Sequence, residues 1–101
     1  MRREDAPLVI GIDIGTSGAR AVAMAPDFSV IASGTAKMAD FSADRRDPLA
    51  WWKAVQTALG IVLDAIDRSR VRALAIDGTS GTMLPVSETG EPLSMPMMYN
   101  D

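Results

Sequence analysis

Apolar and polar positions divide the chain into five strand-like runs and one helical stretch. The first run, residues 8–14, is rich in β-branched residues and holds one charge, Asp13. Such runs are typical of a strand buried on both faces, where a carboxylate is costly unless it meets a cation or hydrogen-bond donors. The pattern therefore predicts a partner for Asp13, and hydrated Mg²⁺ is one candidate.

A small polar turn follows this strand directly, formed by Gly15, Thr16, Ser17 and Gly18. The two glycines allow positive φ and close backbone approach, while hydroxyls and free N–H groups can donate to phosphate oxygens. The pattern predicts a strand that leads into a phosphate-binding loop. Short glycine motifs also leave open a β-hairpin whose turn only reverses the chain, with Asp13 bonded to a neighbouring amide.

Two further strands are predicted at residues 19–24 and 29–37, separated by a turn at Pro26-Asp27. Three strands joined by short turns form an antiparallel meander. Residues 38–47 lose periodicity and gain charge, which indicates an exposed loop. Residues 1–7 are charged and end in proline, so a flexible N-terminal arm is expected there.

A helix is predicted from Pro48 to Asp67. Asp47 can cap its free amides, and proline suits the first helical position because its φ is already set. Gly60 lies inside the helix at a cost of about 1 kcal/mol relative to alanine, which predicts a close packing contact.

One apolar stripe runs along this helix at steps of three and four residues. It consists of Trp52, Val55, Leu59, Val62, Leu63 and Ile66. Neighbouring helical residues point about 100° apart, so Trp51 and Trp52 cannot both face the stripe. Trp52 is expected in the core, and Trp51 is expected to line a cleft or cover a loop.

Residues 70–77 repeat the plan of the first strand, because apolar positions again lead into a carboxylate, Asp77, and a small polar loop. A strand, crossover helix and strand place the two strands parallel, with both carboxyl ends at one edge of the sheet. Ligands of open α/β sheets bind at that edge. The alternative is that Asp77 only ties down its own turn. Residues 82–86 indicate another short strand, and residues 87–92 a turn.

Composition narrows the classes of function that the chain can have. With 101 residues, 48% of them hydrophobic and 23% charged, it is expected to fold as one small domain. A net charge of −3 without basic clusters argues against nucleic acid as a partner. The lack of cysteine and histidine excludes disulfides, thiolate nucleophiles, His-based triads and His/Cys zinc sites. No apolar run reaches the length of a membrane span and no signal core is visible, so no membrane partner and a cytoplasmic location are expected.

Four segments, taken in order, resemble the FGGY carbohydrate kinases of the actin-like ATPase superfamily. They are GIDIGTSGARAVAMAP, DPLAWWKAV, VRALAIDGTSGTMLPVSETGEPL and MYND, the last similar to the family's Trp-Asn-Asp segment with Tyr99 replacing tryptophan. The resemblance covers residues 9–101. It implies an α/β fold: a ribonuclease H-like (actin-like ATPase) domain with a three-stranded antiparallel meander, a crossover helix and a parallel strand.

The resemblance also implies that residues 8–101 are a partial domain, the first part of the family's N-terminal domain. The family's second domain and its catalytic base, an aspartate, would lie beyond residue 101. The piece alone is then expected to be inactive, and to associate through surface that the remainder would cover. The rest of the same kinase chain and a second copy are thus expected partners.

ATP-dependent phosphorylation of a small-molecule sugar is the implied function, with ATP and Mg²⁺ as cofactors. By resemblance Asp13 helps to place Mg²⁺, and the loop formed by Gly15, Thr16, Ser17 and Gly18 approaches the nucleotide phosphates. The implied sugar contacts are Asp77, Thr79, Ser80, Gly81, Asn100 and Asp101.

The pair Ser80-Gly81 bears on the choice of sugar. Glycerol-specific relatives carry Arg-Glu at this place and xylulose-specific ones Met-His, so the pair matches neither. The string DGTSGT is most similar to the branch that phosphorylates ribulose. A ketopentose such as D-ribulose is therefore expected, with xylulose as the alternative.

Two other classes of function remain open at this point. A different actin-like ATPase, such as a chaperone of the seventy-kilodalton heat-shock type, also begins with a Gly-x-Asp-x-Gly-Thr loop. A non-catalytic module that binds a partner through the Met-rich end at residues 93–99 is favoured if the protein ends at residue 101.

Overall fold

A computed structural model describes residues 5–44, 46–78, 82 and 84–97 of the chain. The regular elements are β1 (Leu8–Ile14), β2 (Gly18–Met24), β3 (Val30–Lys37), α1 (Pro48–Asp64) and β4 (Val71–Gly78). Two short 3-10 turns, Met38–Asp40 and Arg68–Arg70, precede α1 and β4. None of the described helices is long and apolar enough to cross a membrane.

The four strands form one sheet in the order β3-β2-β1-β4. β1, β2 and β3 pair antiparallel in chain order, and β4 pairs parallel with β1 after the chain has crossed through α1. The predicted meander, crossover helix and parallel strand are confirmed.

The core lies between α1 and one face of the sheet, mainly over β2 and β3. Buried residues alternate along β1 and β2, as expected for strands with one covered face. The strands contribute Leu8, Ile10, Ile12, Ala19, Ala21 and Ala23, and α1 contributes Ala50, Ala54, Val55, Ala58 and Val62.

The prediction that β1 is buried on both faces is wrong for the described chain. Val9 is 41% exposed, and Asp13 is exposed as well. The helix covers only the face on which Ile10 and Ile12 lie. Asp13 is therefore not subject to the desolvation penalty of a buried charge, and burial does not require it to have a partner.

The start of α1 is confirmed, whereas its end comes three residues earlier than predicted. The Asp47 carboxylate accepts a hydrogen bond from the Leu49 N–H at 3.0 Å. The helix ends at Asp64, and the Asp67 carboxylate accepts from the Ser69 N–H at 3.0 Å to open the Arg68–Arg70 turn. An aspartate that can bond to nearby backbone amides competes with helix continuation, which explains the early end.

Trp52 does not lie in the core as predicted, whereas Trp51 lines a cleft as expected. Trp52 is 60% exposed, while Trp51 is partly buried and packs against the core. Alanines supply three of the five buried positions of α1, at Ala50, Ala54 and Ala58. The helix lies so close to the sheet that small residues fill the interface. The large Trp52 side chain therefore lies outside the buried face.

The close packing contact predicted for Gly60 is also wrong. A Cβ at Gly60 would have no heavy atom within 4 Å, whereas a Cβ at Gly34 in β3 would lie 2.5 Å from the Ala58 carbonyl oxygen. The helix and sheet thus approach most closely at a glycine of the strand.

Two predictions on the connecting segments need correction. The stretch 38–47 is not wholly an exposed loop, because Met38 is buried in the core. The described residues among 82–86 form no regular strand, and Val86 makes an isolated antiparallel bridge with Pro92. The turn between these two residues is confirmed by the Gly90 N–H, which donates to the Ser87 carbonyl at 2.9 Å.

Candidate functional site

Two carboxylates lie at the carboxyl ends of adjacent parallel strands. Asp13 of β1 and Asp77 of β4 are partners in the β1–β4 register, and both are exposed. Neighbouring strands lie about 4.8 Å apart, and paired positions project to the same face of the sheet. The predicted placement of both residues at one edge is therefore confirmed, on the face opposite α1.

Arg20 adds a third charge to this row. It is the partner of Asp13 in the antiparallel β1–β2 register. The three side chains border a cleft of about 300 Å³ that is floored by Gly11 and Ala75. The sequence analysis did not identify Arg20 as a site residue. The predicted pairing of the first two strands could have done so, because Asp13 and Arg20 are equally far from the centre of the turn and are therefore opposite each other.

These three charged groups have no partner within the described part of the chain, where no hydrogen bond or ion pair involves them. Carboxylates are the ligands that Mg²⁺ prefers, and a guanidinium fits phosphate oxygens. The row therefore presents chemistry suited to a metal–phosphate ligand. The described residues, those of this row included, contain no group of three or more acidic residues placed to hold a metal ion, but a bound Mg²⁺ needs only one or two carboxylates when waters and phosphates complete its shell.

The loop between β1 and β2 is a tight turn beside this row. The Gly15 N–H donates to the Gly18 carbonyl at 2.9 Å, so this amide is occupied within the loop. The Ser17 carbonyl accepts from the Met38 N–H at 2.9 Å and is held against the chain that leaves β3. The N–H groups of Thr16 and Ser17 have no partner among the described contacts. These two amides are the donors that a phosphate could meet.

Neither loop glycine has the positive φ that the sequence suggested, since Gly90 is the only described glycine with one. Gly18 is required for another reason. A Cβ there would lie 2.5 Å from the Ala36 carbonyl oxygen, because β3 passes directly beside the loop. The expected close backbone approach is thus an approach to β3.

Five predicted sugar contacts, Thr79, Ser80, Gly81, Asn100 and Asp101, lie outside the described residues. The sixth, Asp77, lies in the row of charges, and β4 ends one residue later at Gly78, which pairs with Ile14.

The sheet is mixed, and at one of its edges a hairpin loop lies beside two parallel strands that each end near an aspartate. This arrangement is that of the actin-like ATPase fold. The model of the FGGY family of carbohydrate kinases, N-terminal domain, matches residues 8–101. The chain belongs to this family.

Several relatives are named xylulose kinase. The one from Streptomyces coelicolor is 30% identical over 104 residues, covering 100% of this chain and 21% of the relative. The one from Klebsiella pneumoniae is 32% identical over 99 residues, covering 93% of this chain and 20% of the relative. The crystal structure of xylulose kinase from Bifidobacterium adolescentis matches with a TM-score of 0.75 at 25% identity, over 95% of this chain and 18% of that one. The chain thus spans about a fifth of the length of the curated relatives it matches.

Proposed function

We propose that this chain supplies the phosphate-binding loop and part of the sugar site of a kinase that transfers a phosphoryl group from ATP to a hydroxyl of a ketopentose. The single observation that carries the proposal is the row of Arg20, Asp13 and Asp77 beside the Gly15–Gly18 turn. Because the chain belongs to the FGGY family, we interpret this row as a site for the metal and phosphates of a nucleotide.

The groups of this chain divide the binding work between them. The Asp13 carboxylate would hold hydrated Mg²⁺, which would neutralise charge on the transferring phosphoryl group when bound, and the Asp77 carboxylate beside it would contact the sugar. The amides of Thr16 and Ser17 donate to phosphate oxygens, and the Arg20 guanidinium is suited to a second pair of oxygens. A base that accepts the sugar hydroxyl proton is still required, and we place it outside these 101 residues.

Asp13→Asn in the intact kinase tests the site. It removes the metal-orienting charge but keeps the shape, so turnover is expected to fall by about a hundredfold or more while the KM for sugar changes little. Asp64→Asn is the matched control, because Asp64 is exposed at the far end of α1 and, within the described residues, its carboxylate pairs with Arg68. Steady-state kinetics with both variants decides the matter, and near-normal turnover in Asp13→Asn would return this residue to a structural role.

The sugar itself is proposed to be ribulose. Ser80 offers one short hydroxyl and Gly81 none, which leaves room for a pentulose and provides no charged clamp for a three-carbon polyol. A wrong epimer leaves hydrogen bonds unpaired, which costs about 1–3 kcal/mol for each buried group. Xylulose is the second candidate, because the names of several relatives favour it.

ADP release by the intact kinase with a panel of ketopentoses, polyols and aldoses separates these possibilities. We expect ribulose to be preferred to xylulose and both to glycerol, and Ser80→Ala to raise the KM for ribulose. Preference for xylulose would select the second candidate, and preference for glycerol or an aldohexose would contradict the ketopentose proposal. ATP turnover that no sugar stimulates would contradict the proposal that this kinase acts on a sugar of the panel.

A further inference from the structure

Asp77 differs from every other aspartate of the chain in the residue that follows it. It precedes Gly78, and no other aspartate in the sequence is followed by glycine. Because glycine has no Cβ, its backbone nitrogen is little hindered and the chain around it changes conformation easily. An aspartyl carboxyl group is therefore attacked more readily by the backbone nitrogen of a following glycine than by that of any bulkier residue.

The Asp77 carboxylate is available for such a reaction. It is exposed, and no hydrogen bond or ion pair holds it within the described part of the chain. Carboxylates elsewhere accept hydrogen bonds from residues further along the chain, namely those of Asp27, Asp44, Asp47, Asp64 and Asp67. Those bonds must break before the carboxyl group can turn to another nitrogen, whereas Asp77 has no such bond to lose.

The position of Gly78 allows the backbone to move. Gly78 is the last residue of β4, and β4 is the outermost strand on its side of the described sheet. A Cβ at Gly78 would have no heavy atom within 4 Å, so the surroundings are open. The extended backbone of a strand keeps the Asp77 carboxyl group away from the Gly78 nitrogen. Reaction therefore requires local opening, which has a low free-energy cost at the end of a strand.

Asp13 provides a comparison within the same structure. It pairs with Asp77 in the register, is exposed, and has no partner among the described residues. The residue after it is Ile14, whose side chain packs against the core. A β-branched side chain crowds its own backbone nitrogen, and its packing holds the backbone in place. The two aspartates thus have similar surroundings but different following residues.

We propose that Asp77-Gly78 is a site of spontaneous covalent modification, at which aspartate rearranges to isoaspartate through a succinimide. The Gly78 nitrogen attacks Cγ of the protonated Asp77 carboxyl group. The new N–Cγ bond closes a ring, and the Cγ hydroxyl leaves with the proton of the nitrogen as water. A second water then opens the ring at either carbonyl carbon. Opening at Cγ restores aspartate, and opening at the backbone carbonyl leaves the peptide link on Cγ, which is isoaspartate.

Isoaspartate at position 77 would lengthen the backbone by one methylene and leave an α-carboxylate where the peptide link had been. The pairing of Gly78 with Ile14 would shift, and the segment after β4 would move with it. The effect of this shift on activity rests on the proposed function. If Asp77 contacts the sugar, the modified kinase is expected to have a higher KM for its ketopentose, and bound sugar is expected to slow the modification.

Incubation of the intact kinase in water enriched in heavy oxygen tests the site directly. Each passage through the succinimide adds one solvent oxygen to residue 77, so the mass of the peptide that holds Asp77 is expected to rise over days. The peptide that holds Asp13 is expected to keep its mass. Endoproteinase Asp-N cleaves before aspartate but not before isoaspartate, and loss of cleavage at position 77 measures the rearranged fraction.

Gly78→Ala is the matched variant, because its Cβ meets no other atom and the fold is kept while the nitrogen becomes more hindered. Labelling at Asp77 is expected to slow at least about tenfold in this variant. Equal labelling at Asp13 and Asp77, an unchanged rate in Gly78→Ala, or labelling at Asp77 only after unfolding in urea would each overturn the proposal. These measurements need no sugar, so their failure leaves the proposed function standing, and failure of the sugar panel leaves the modification site standing.

Discussion

Two glycines show how local surroundings decide what one residue type contributes. Gly60 lies in the helix interior with free space where its Cβ would be, so it has only the conformational cost of glycine. Gly34 lies in β3 against the Ala58 carbonyl oxygen and leaves no room for a side chain. A helical glycine is therefore dispensable here, and a strand glycine sets the distance between the layers.

Gly60→Ala is expected to raise the free energy of unfolding by up to about 1 kcal/mol, because alanine restricts the unfolded helix segment and clashes with nothing. Gly34→Ala is expected to lower it by about 1–3 kcal/mol, because the new Cβ forces the helix and sheet apart. Urea unfolding followed by tryptophan fluorescence gives both values. Destabilisation of Gly60→Ala would mean that α1 meets a neighbour at Gly60 after all.

At the scale of elements, capping aspartates decide where each segment begins. Asp47 opens α1, and Asp67 opens the Arg68–Arg70 turn that leads into β4. The Ser69 hydroxyl and then the Ser69 backbone N–H lower the pKa of the Asp67 carboxyl, with a further contribution from the charge of Arg70. Since the turn stabilises the charged form, its contribution depends on pH.

The folded-state pKa of Asp67 lies below the unfolded one, so this contribution is present above about pH 4 and is lost as the pH falls through the lower folded-state pKa. Asp67→Asn is expected to flatten the fall of stability with acid over that range. Ser69→Ala removes the donating hydroxyl and is expected to act in the same direction. Thermal unfolding between about pH 2 and pH 7 compares the variants with the parent protein, and parallel curves would show that the capping bonds are not maintained in solution.

β4 is the element least covered by the described chain. Leu74 and Ile76 are exposed although they lie on the same face as Ile10 and Ile12, their partners in the register. α1 packs on β2 and β3 instead, where Gly34 leaves room for the close approach of the helix. Covering β4 requires further structure, which agrees with a chain that spans about a fifth of its relatives.

At the scale of the whole molecule, the charges of the candidate site lie at one end of β1 and the tip of the β2–β3 hairpin lies beyond the other. The site holds candidates for binding metal and phosphate, whereas we propose that the base which accepts the sugar hydroxyl proton lies outside these 101 residues.

The 101-residue chain alone is expected to release no ADP above background with ATP, Mg²⁺ and either ribulose or xylulose, because transfer needs a positioned base. The intact kinase under the same conditions is the control. Sugar-dependent turnover by the isolated chain would place the base within these residues and remove the need for a second domain.

The sequence predicted elements whose signals are local. The β-branched run of β1 and the Asp47-Pro48 cap depend on neighbouring residues alone, and both were confirmed. The placement of Asp13 and Asp77 at one edge was also predicted, because a strand reached through a crossover helix runs parallel to the first; their pairing in the register came from the structure. The FGGY resemblance, read from four short segments, was confirmed by the family match over residues 8–101.

Only the tertiary structure decided which faces are covered and which charges meet. The roles of Trp51 and Trp52, the close contact at Gly34 and the exposure of Asp13 depend on where α1 sits on the sheet. Periodicity specifies that a helix has an apolar face. The distance between helix and sheet decides whether alanine or tryptophan lies in the contact, and that distance depends on the side chains of both surfaces.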